Sequence, residues 1–170
     1  MRRTLISAAA LFAVSMSPAL AQGVRLKAVV HHGGSLTGLC RAVVTAPLRF
    51  VYNPFSDLDQ FATAVVTVTC NPAQFLGTIA ISPGNANRFS RYREMWKNGT
   101  DSSQVLEYNV YTTSNFNLVW GDGSGGSSFQ TINQTVTTFN AVIFARLQYR
   151  QSSVTAGDYS DTVTVTFNLT

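Results

Sequence analysis

Histidine, cysteine and charge are all scarce in this chain, and each scarcity removes a class of function. The only histidines are His31 and His32, so a Ser-His-Asp triad has no base placed near any candidate nucleophile. The run Gly121-Asp122-Gly123-Ser124-Gly125-Gly126 looks like a serine-protease nucleophile loop, but an extra glycine separates Asp122 from Ser124. A glycine-rich hairpin turn accounts for it better. Adjacent imidazoles in extended chain point opposite ways, and no acidic residue or third histidine lies close by, so no metal site is assigned. Asp122 likewise lacks the repeated acidic positions of a calcium loop. The chain is read as a non-enzyme, with no catalytic residue and no cofactor.

Charge is equally thin. Twelve Lys and Arg stand against eight Asp and Glu, and two of the cations, Arg2 and Arg3, lie in a segment expected to be removed. The remaining balance, ten against eight, gives no clustered basic face of the kind nucleic acid requires. Long apolar runs are missing too. Leu5 to Val14 is the one candidate, and it falls well short of the roughly 20 residues a membrane span needs. Between Arg2-Arg3 and the small-residue site Ala19-Leu20-Ala21, it has the form of a secretory signal covering residues 1–21. The protein is expected to be exported. What remains is long enough for one domain with its own core.

The two cysteines, Cys40 and Cys70, are an even number in an exported chain and read as a disulfide, the alternative being two buried free thiols. In the run Ala62 to Cys70, the residues Ala64, Val66, Val68 and Cys70 share one face, which points Cys70 into the core. Cys40 shares a face with Leu36, Gly38 and Ala42, so the bridge is expected to staple an early strand beneath the first sheet.

No segment keeps a helical period for three turns. Instead, alternating or β-branched runs recur at Leu36 to Val44, Leu48 to Tyr52, Ala62 to Cys70, Phe75 to Ile81, Val105 to Thr112, Asn117 to Trp120, Thr131 to Phe139, Val142 to Tyr149 and Tyr159 to Leu169. Turn chemistry fills the gaps, as in Asn53-Pro54, Ser82-Pro83-Gly84-Asn85 and Lys97-Asn98-Gly99. The fold class is all-β, an antiparallel sandwich or barrel. Gly84 to Gln104 is the one irregular stretch.

Two segments suggest assembly. The run from Tyr159 alternates to the last residue of the chain, placing Val163, Val165, Phe167 and Leu169 on one face, with nothing after it to pair with. At the other end Val24, Leu26, Ala28 and Val30 alternate in the same way, set apart by His31-His32-Gly33-Gly34.

A series of motifs carries a family resemblance: Cys40, then Leu48-Arg49-Phe50 and Tyr52-Asn53-Pro54, then Ala64-Val65-Val66-Thr67-Val68-Thr69-Cys70. Ile81-Ser82-Pro83-Gly84, Arg93-Glu94-Met95 and Leu106-Glu107-Tyr108-Asn109-Val110-Tyr111 follow. Val119-Trp120-Gly121-Asp122-Gly123 and Gly157-Asp158-Tyr159-Ser160-Asp161-Thr162-Val163 complete it. In this order and spacing they resemble the spore coat U family, which includes subunits of archaic, Csu-type chaperone-usher pili.

The resemblance implies an incomplete immunoglobulin-like sandwich over residues 35–170 that lacks its last strand. It implies as partners a periplasmic chaperone that lends a strand, an outer-membrane usher, and further pilus subunits. Residues 22–34 would then be the donor segment, with Val24, Leu26, Ala28 and Val30 entering a neighbour's groove beside Val163, Val165, Phe167 and Leu169. Alternate side chains in pockets are what strand addition requires. The expected location is the periplasm during assembly and the cell surface afterwards.

The stretch Arg88 to Lys97 interleaves cations with aromatics and makes Arg88, Arg91 and Trp96 a possible ligand surface. Its alternative is a long loop packed on the sandwich, in which Arg93 and Met95 are structural. Trp120 reads as a core or sheet-end aromatic. The competing function is a secreted, self-contained sandwich that binds a carbohydrate or surface ligand as a monomer. The two differ in whether residues 22–34 serve their own domain or another molecule.

Overall fold

The computed structural model describes residues 21–32, 39–45, 47–71, 75–87, 92–151 and 154–169. Residues 1–20 of the expected signal, Leu36 and Gly38 of the Cys40 face, and Arg88 and Arg91 lie outside them, whereas Ala21, the last residue of that signal, begins β1. The described chain is all-β, with ten strands: β1 Ala21–His32, β2 Leu39–Val44, β3 Leu48–Val51, β4 Gln60–Asn71, β5 Phe75–Ile81, β6 Arg93–Lys97, β7 Asp101–Tyr111, β8 Gln130–Gln134, β9 Thr138–Leu147 and β10 Tyr159–Leu169. One 3-10 turn spans Gly84–Ala86.

The alternation seen in the sequence is the alternation of burial. In β4, Ala64, Val66, Val68 and Cys70 are buried, and in β9 Ala141, Ile143, Ala145 and Leu147 are. These join Val163, Val165, Phe167 and Leu169 of β10 in a single apolar cluster, with Phe50, Phe75, Tyr108 and Trp120 among its most deeply buried rings. One curled sheet encloses that core in the order β2-β4-β9-β7-β6-β10-β1-β3, with β5 branching from β10 and carrying β8.

Five features differ from expectation. The sheet is mixed, because β1 runs parallel to β10. The Cys40–Cys70 disulfide is present, but it joins directly opposed residues of the adjacent strands β2 and β4, so it clips one sheet edge and does not tie a strand beneath the sheet. The stretch taken as irregular contains β6 and the start of β7. The β6 signal is hidden because Arg93, a cation, occupies an inward position of the strand beside Met95. Asn117 to Trp120 forms only isolated bridges, Tyr111 to Val119 and Trp120 to Ser128, and the run Thr131 to Phe139 is divided between β8 and β9.

Candidate functional site

The feature with most bearing on function is the seam between β1 and β10. The two strands pair in parallel from Gly23 with Ser160 to His32 with Leu169. Leu26 lies opposite Val163, Ala28 opposite Val165, and Val30 opposite Phe167. Val24 and Leu26 are buried, Ala28 and Val30 are half-buried against the core, and Arg25, Lys27 and His31 are exposed. Val29, on the opposite face of the strand by alternation, is half-buried as well. Thus the two sets of residues picked out as donor and acceptor are brought together within one chain.

Connectivity explains the direction. Six residues, 33–38, separate His32 from Leu39, a reach of about 20 Å at the extended-chain limit. Leu39 pairs with Asn71, and β5, which begins at Phe75, pairs at Gly77 with Leu169. The start of β2 is therefore at the Leu169 end of β10. A reversed β1 would place His32 at the Ser160 end, about 30 Å away along the strand. In one chain, only the parallel arrangement closes.

The seating is one-sided. The second edge of β1 pairs with β3 only over Ala21 to Val24. Beyond Val24, among the described residues, β1 holds to the sheet through the β10 ladder alone, and an open cleft of about 670 Å³ borders it, lined by Arg25, Arg49, Val44, Thr45 and Pro47 among others. The opposite edge of β10 pairs with β6 at Tyr159 and Ser160 and with β5 from Val165 to Leu169, and between them Thr164 exchanges hydrogen bonds with Ser82. Taking β1 away would expose one continuous β10 edge and the apolar groove beneath it.

At the Ser160 end the groove is floored by a buried polar network that periodicity does not reveal. Asp161 is opposite Val24, and its carboxylate accepts hydrogen bonds from Tyr108 Oη at 2.6 Å and from the Asn85 and Thr162 amides at 2.8 and 2.6 Å. The Arg93 guanidinium, 1% exposed, donates to the carbonyls of Ser82 at 2.9 Å, Ile81 at 3.3 Å and Trp120 at 2.6 Å, and to Asn109 Oδ1 at 3.4 Å. Burial lowers the Arg93 pKa to about 10. Burial also raises the Asp161 carboxyl above the usual carboxylate range, against the pull of its hydrogen bonds and of Arg93, and it lifts the Tyr108 hydroxyl well above its ordinary value. The motif pieces Ser82, Arg93, Tyr108, Trp120 and Asp161, scattered in sequence, meet here. Their signal was the unusual presence of Arg93 and Asp161 at inward positions of apolar strands.

The remaining candidates separate. Trp96 is half-buried and donates through Nε1 to Glu94 Oε2 at 3.0 Å, while Arg88 and Arg91 fall outside the described residues. Ser124 Oγ donates to Asp122 Oδ1 at 2.6 Å and its amide does so at 2.8 Å, a local turn closed on itself. Trp120 is fully buried and donates to the Ile79 carbonyl at 3.0 Å. No helix among the described residues is long and apolar enough to cross a membrane.

No curated protein matches the chain. The Spore Coat Protein U domain model, a family associated with chaperone-usher fimbrial subunits, matches residues 28–166. With most of its length matched, and its scattered motif residues converging on one polar network at the end of the groove, the chain belongs to the Spore Coat Protein U family.

Proposed function

We propose that this protein is an exported structural subunit of a surface fibre and polymerises by strand donation. Residues 22–34 of one subunit fill the β10 groove of the next, after a periplasmic chaperone and an outer-membrane usher have handled the monomer. The observation that carries this reading is the fit of Val24, Leu26, Ala28 and Val30 along Val163, Val165 and Phe167, on a strand that beyond Val24 is held by one ladder only. Family membership supports it. A strand attached by one edge can be replaced by an equivalent strand from another copy, which needs no connector and brings the same side chains. A self-contained sandwich is the second reading, favoured by the seating of β1 in its own domain.

The test is exchange itself. A chain beginning at residue 35 should be unstable alone and be rescued by a synthetic peptide of residues 22–34, whereas a peptide carrying Leu26→Asp should fail to rescue it. In cells that express the chaperone and usher, full-length subunits should give polymer, and Leu26→Asp should abolish it. Polymer unchanged by Leu26→Asp, or a chain from residue 35 that folds cooperatively by itself, would overturn strand donation. Peptide rescue with no polymer under any condition would establish the self-contained reading.

A further inference from the structure

On the outer surface of the sheet, facing away from the β10 groove, β4, β9 and β7 place several aromatic rings and one charged pair together. Phe61 lies directly opposite Arg146 on β4 and β9, and Phe144 lies opposite Tyr111 on β9 and β7. Phe61, a large apolar ring near the start of the β4–β9 pairing, is 58% exposed. Phe116, from the turn after β7, stacks on it with centroids 4.8 Å apart and planes at 35°. Tyr111, only 3% exposed and so a support beneath the patch, meets Phe116 edge-on, at 5.3 Å and 89°. Phe116 adopts φ 54°, a backbone region sparsely populated by bulky residues. The turn holds it there, through its amide on the Thr113 carbonyl at 3.2 Å and a Thr113 Oγ1 bond to Asn117 Oδ1 at 3.3 Å.

Beside these rings lies a partly open charged pair, Arg146 and Asp59. The Arg146 guanidinium carbon is 5.6 Å from the centre of the Tyr111 ring. Arg146 Nε, itself closed to solvent, faces Asp59 Oδ2 at 3.7 Å, and Asp59 Oδ1 accepts from the Tyr149 amide at 3.1 Å. Both side chains remain partly open, at 31% and 23% exposure.

We propose that this face binds a pyranose ring of a neutral polysaccharide, with Phe61 as the stacking platform and Arg146 and Asp59 as hydroxyl partners. A pyranose presents an apolar C–H face and a rim of hydroxyls that both donate and accept. Fixed aromatic rings answer the first, and the neighbouring guanidinium and carboxylate answer the second. A phosphate-bearing ligand would meet the Asp59 carboxylate, and a lipid tail would have to desolvate the ion pair. The site is independent of strand exchange, because its residues are on the surface opposite the core-facing side chains of β4 and β9.

The experiment titrates the full mature chain with cellohexaose, maltohexaose and mannohexaose, followed by amide chemical shifts and calorimetry. Saturable binding to at least one of them is expected. Phe61→Ala should weaken it at least tenfold, Arg146→Gln should weaken it severalfold, and Phe61→Trp should preserve or tighten it. Phe55→Ala, at an exposed ring outside the patch, should change nothing. Urea midpoints of the variants should match the parent within about 0.5 M, so that a folding defect cannot imitate lost binding. Absence of saturable binding to all three oligosaccharides, or equal binding by Phe61→Ala, would overturn the proposal. So would self-association of the parent that Phe61→Ala removes in the absence of sugar binding, since the face would then serve a second copy of the chain.

Discussion

At Gly84 the backbone has φ 72°, and any Cβ would overlap the Asp161 carboxylate. The glycine is thus required twice, by its left-handed conformation and by the close approach of a buried acid. Gly84→Ala is expected to destabilise the fold by about 2 to 3 kcal/mol, combining the left-handed penalty with displacement of a hydrogen-bonded group. Urea denaturation of the purified variant measures it. Asp161 also gives the protein a pH dependence with a definite sign. Its folded pKa is above its unfolded value, so between the two values the native state holds a proton that the unfolded chain lacks. Stability from this group is fully present below the unfolded value and is lost as pH rises through the folded one. As pH falls from neutral, the wild type should therefore gain stability relative to Asp161→Asn, as read from the difference between their denaturation midpoints.

Among the strands, β1 is the one whose side chains can be tested for a division of labour. Burying a Leu-sized side chain contributes roughly 1.5 to 3 kcal/mol, whereas an exposed charge change is usually within about 0.5 kcal/mol. Leu26→Asp should therefore lower the stability of the monomer by at least about 2 kcal/mol, and Arg25→Asp should scarcely alter it, as read by chemical denaturation of each variant. The disulfide acts on a different element. It joins residues separated by 30 positions and ties β2, at the end of the sheet order, to β4, and on the chain-entropy model closing such a loop stabilises by about 3 to 4 kcal/mol. Replacing both Cys40 and Cys70 with Ala should lower stability by about that amount. Labelling of the unfolded, unreduced wild type should detect no free thiol.

For the whole molecule, the seating of β1 changes the expected solution behaviour. A sandwich whose last strand had an open edge would aggregate when alone, because an exposed apolar edge templates further pairing. With β1 on β10 that edge is covered, so the mature chain should run as a monomer on size exclusion. The chain from residue 35 should aggregate or be degraded unless a chaperone or the 22–34 peptide is supplied. Aggregation of both forms to the same extent would show that β1 does not protect the groove.

The legible part of this protein was the part controlled by local alternation. A period of two placed Val163, Val165, Phe167 and Leu169 inward, gave the same polarity to Val24, Leu26, Ala28 and Val30, and marked Cys70 as buried, because the pleat of an extended chain forces successive side chains to opposite faces. It failed where an inward position is polar. Arg93 hid β6, since a buried guanidinium is stable only where carbonyls from Ser82, Ile81 and Trp120 converge, and no local pattern announces that convergence. Phe61 and Arg146 are 85 positions apart in the chain and become neighbours only through the β4–β9 register. The sequence by itself determined which faces of which strands are apolar, that the chain is all-β, and that its two alternating ends suit each other. Tertiary structure alone decided that they meet within one chain and in parallel, because edge pairing and direction depend on where a six-residue connector can reach, a constraint that alternation does not contain.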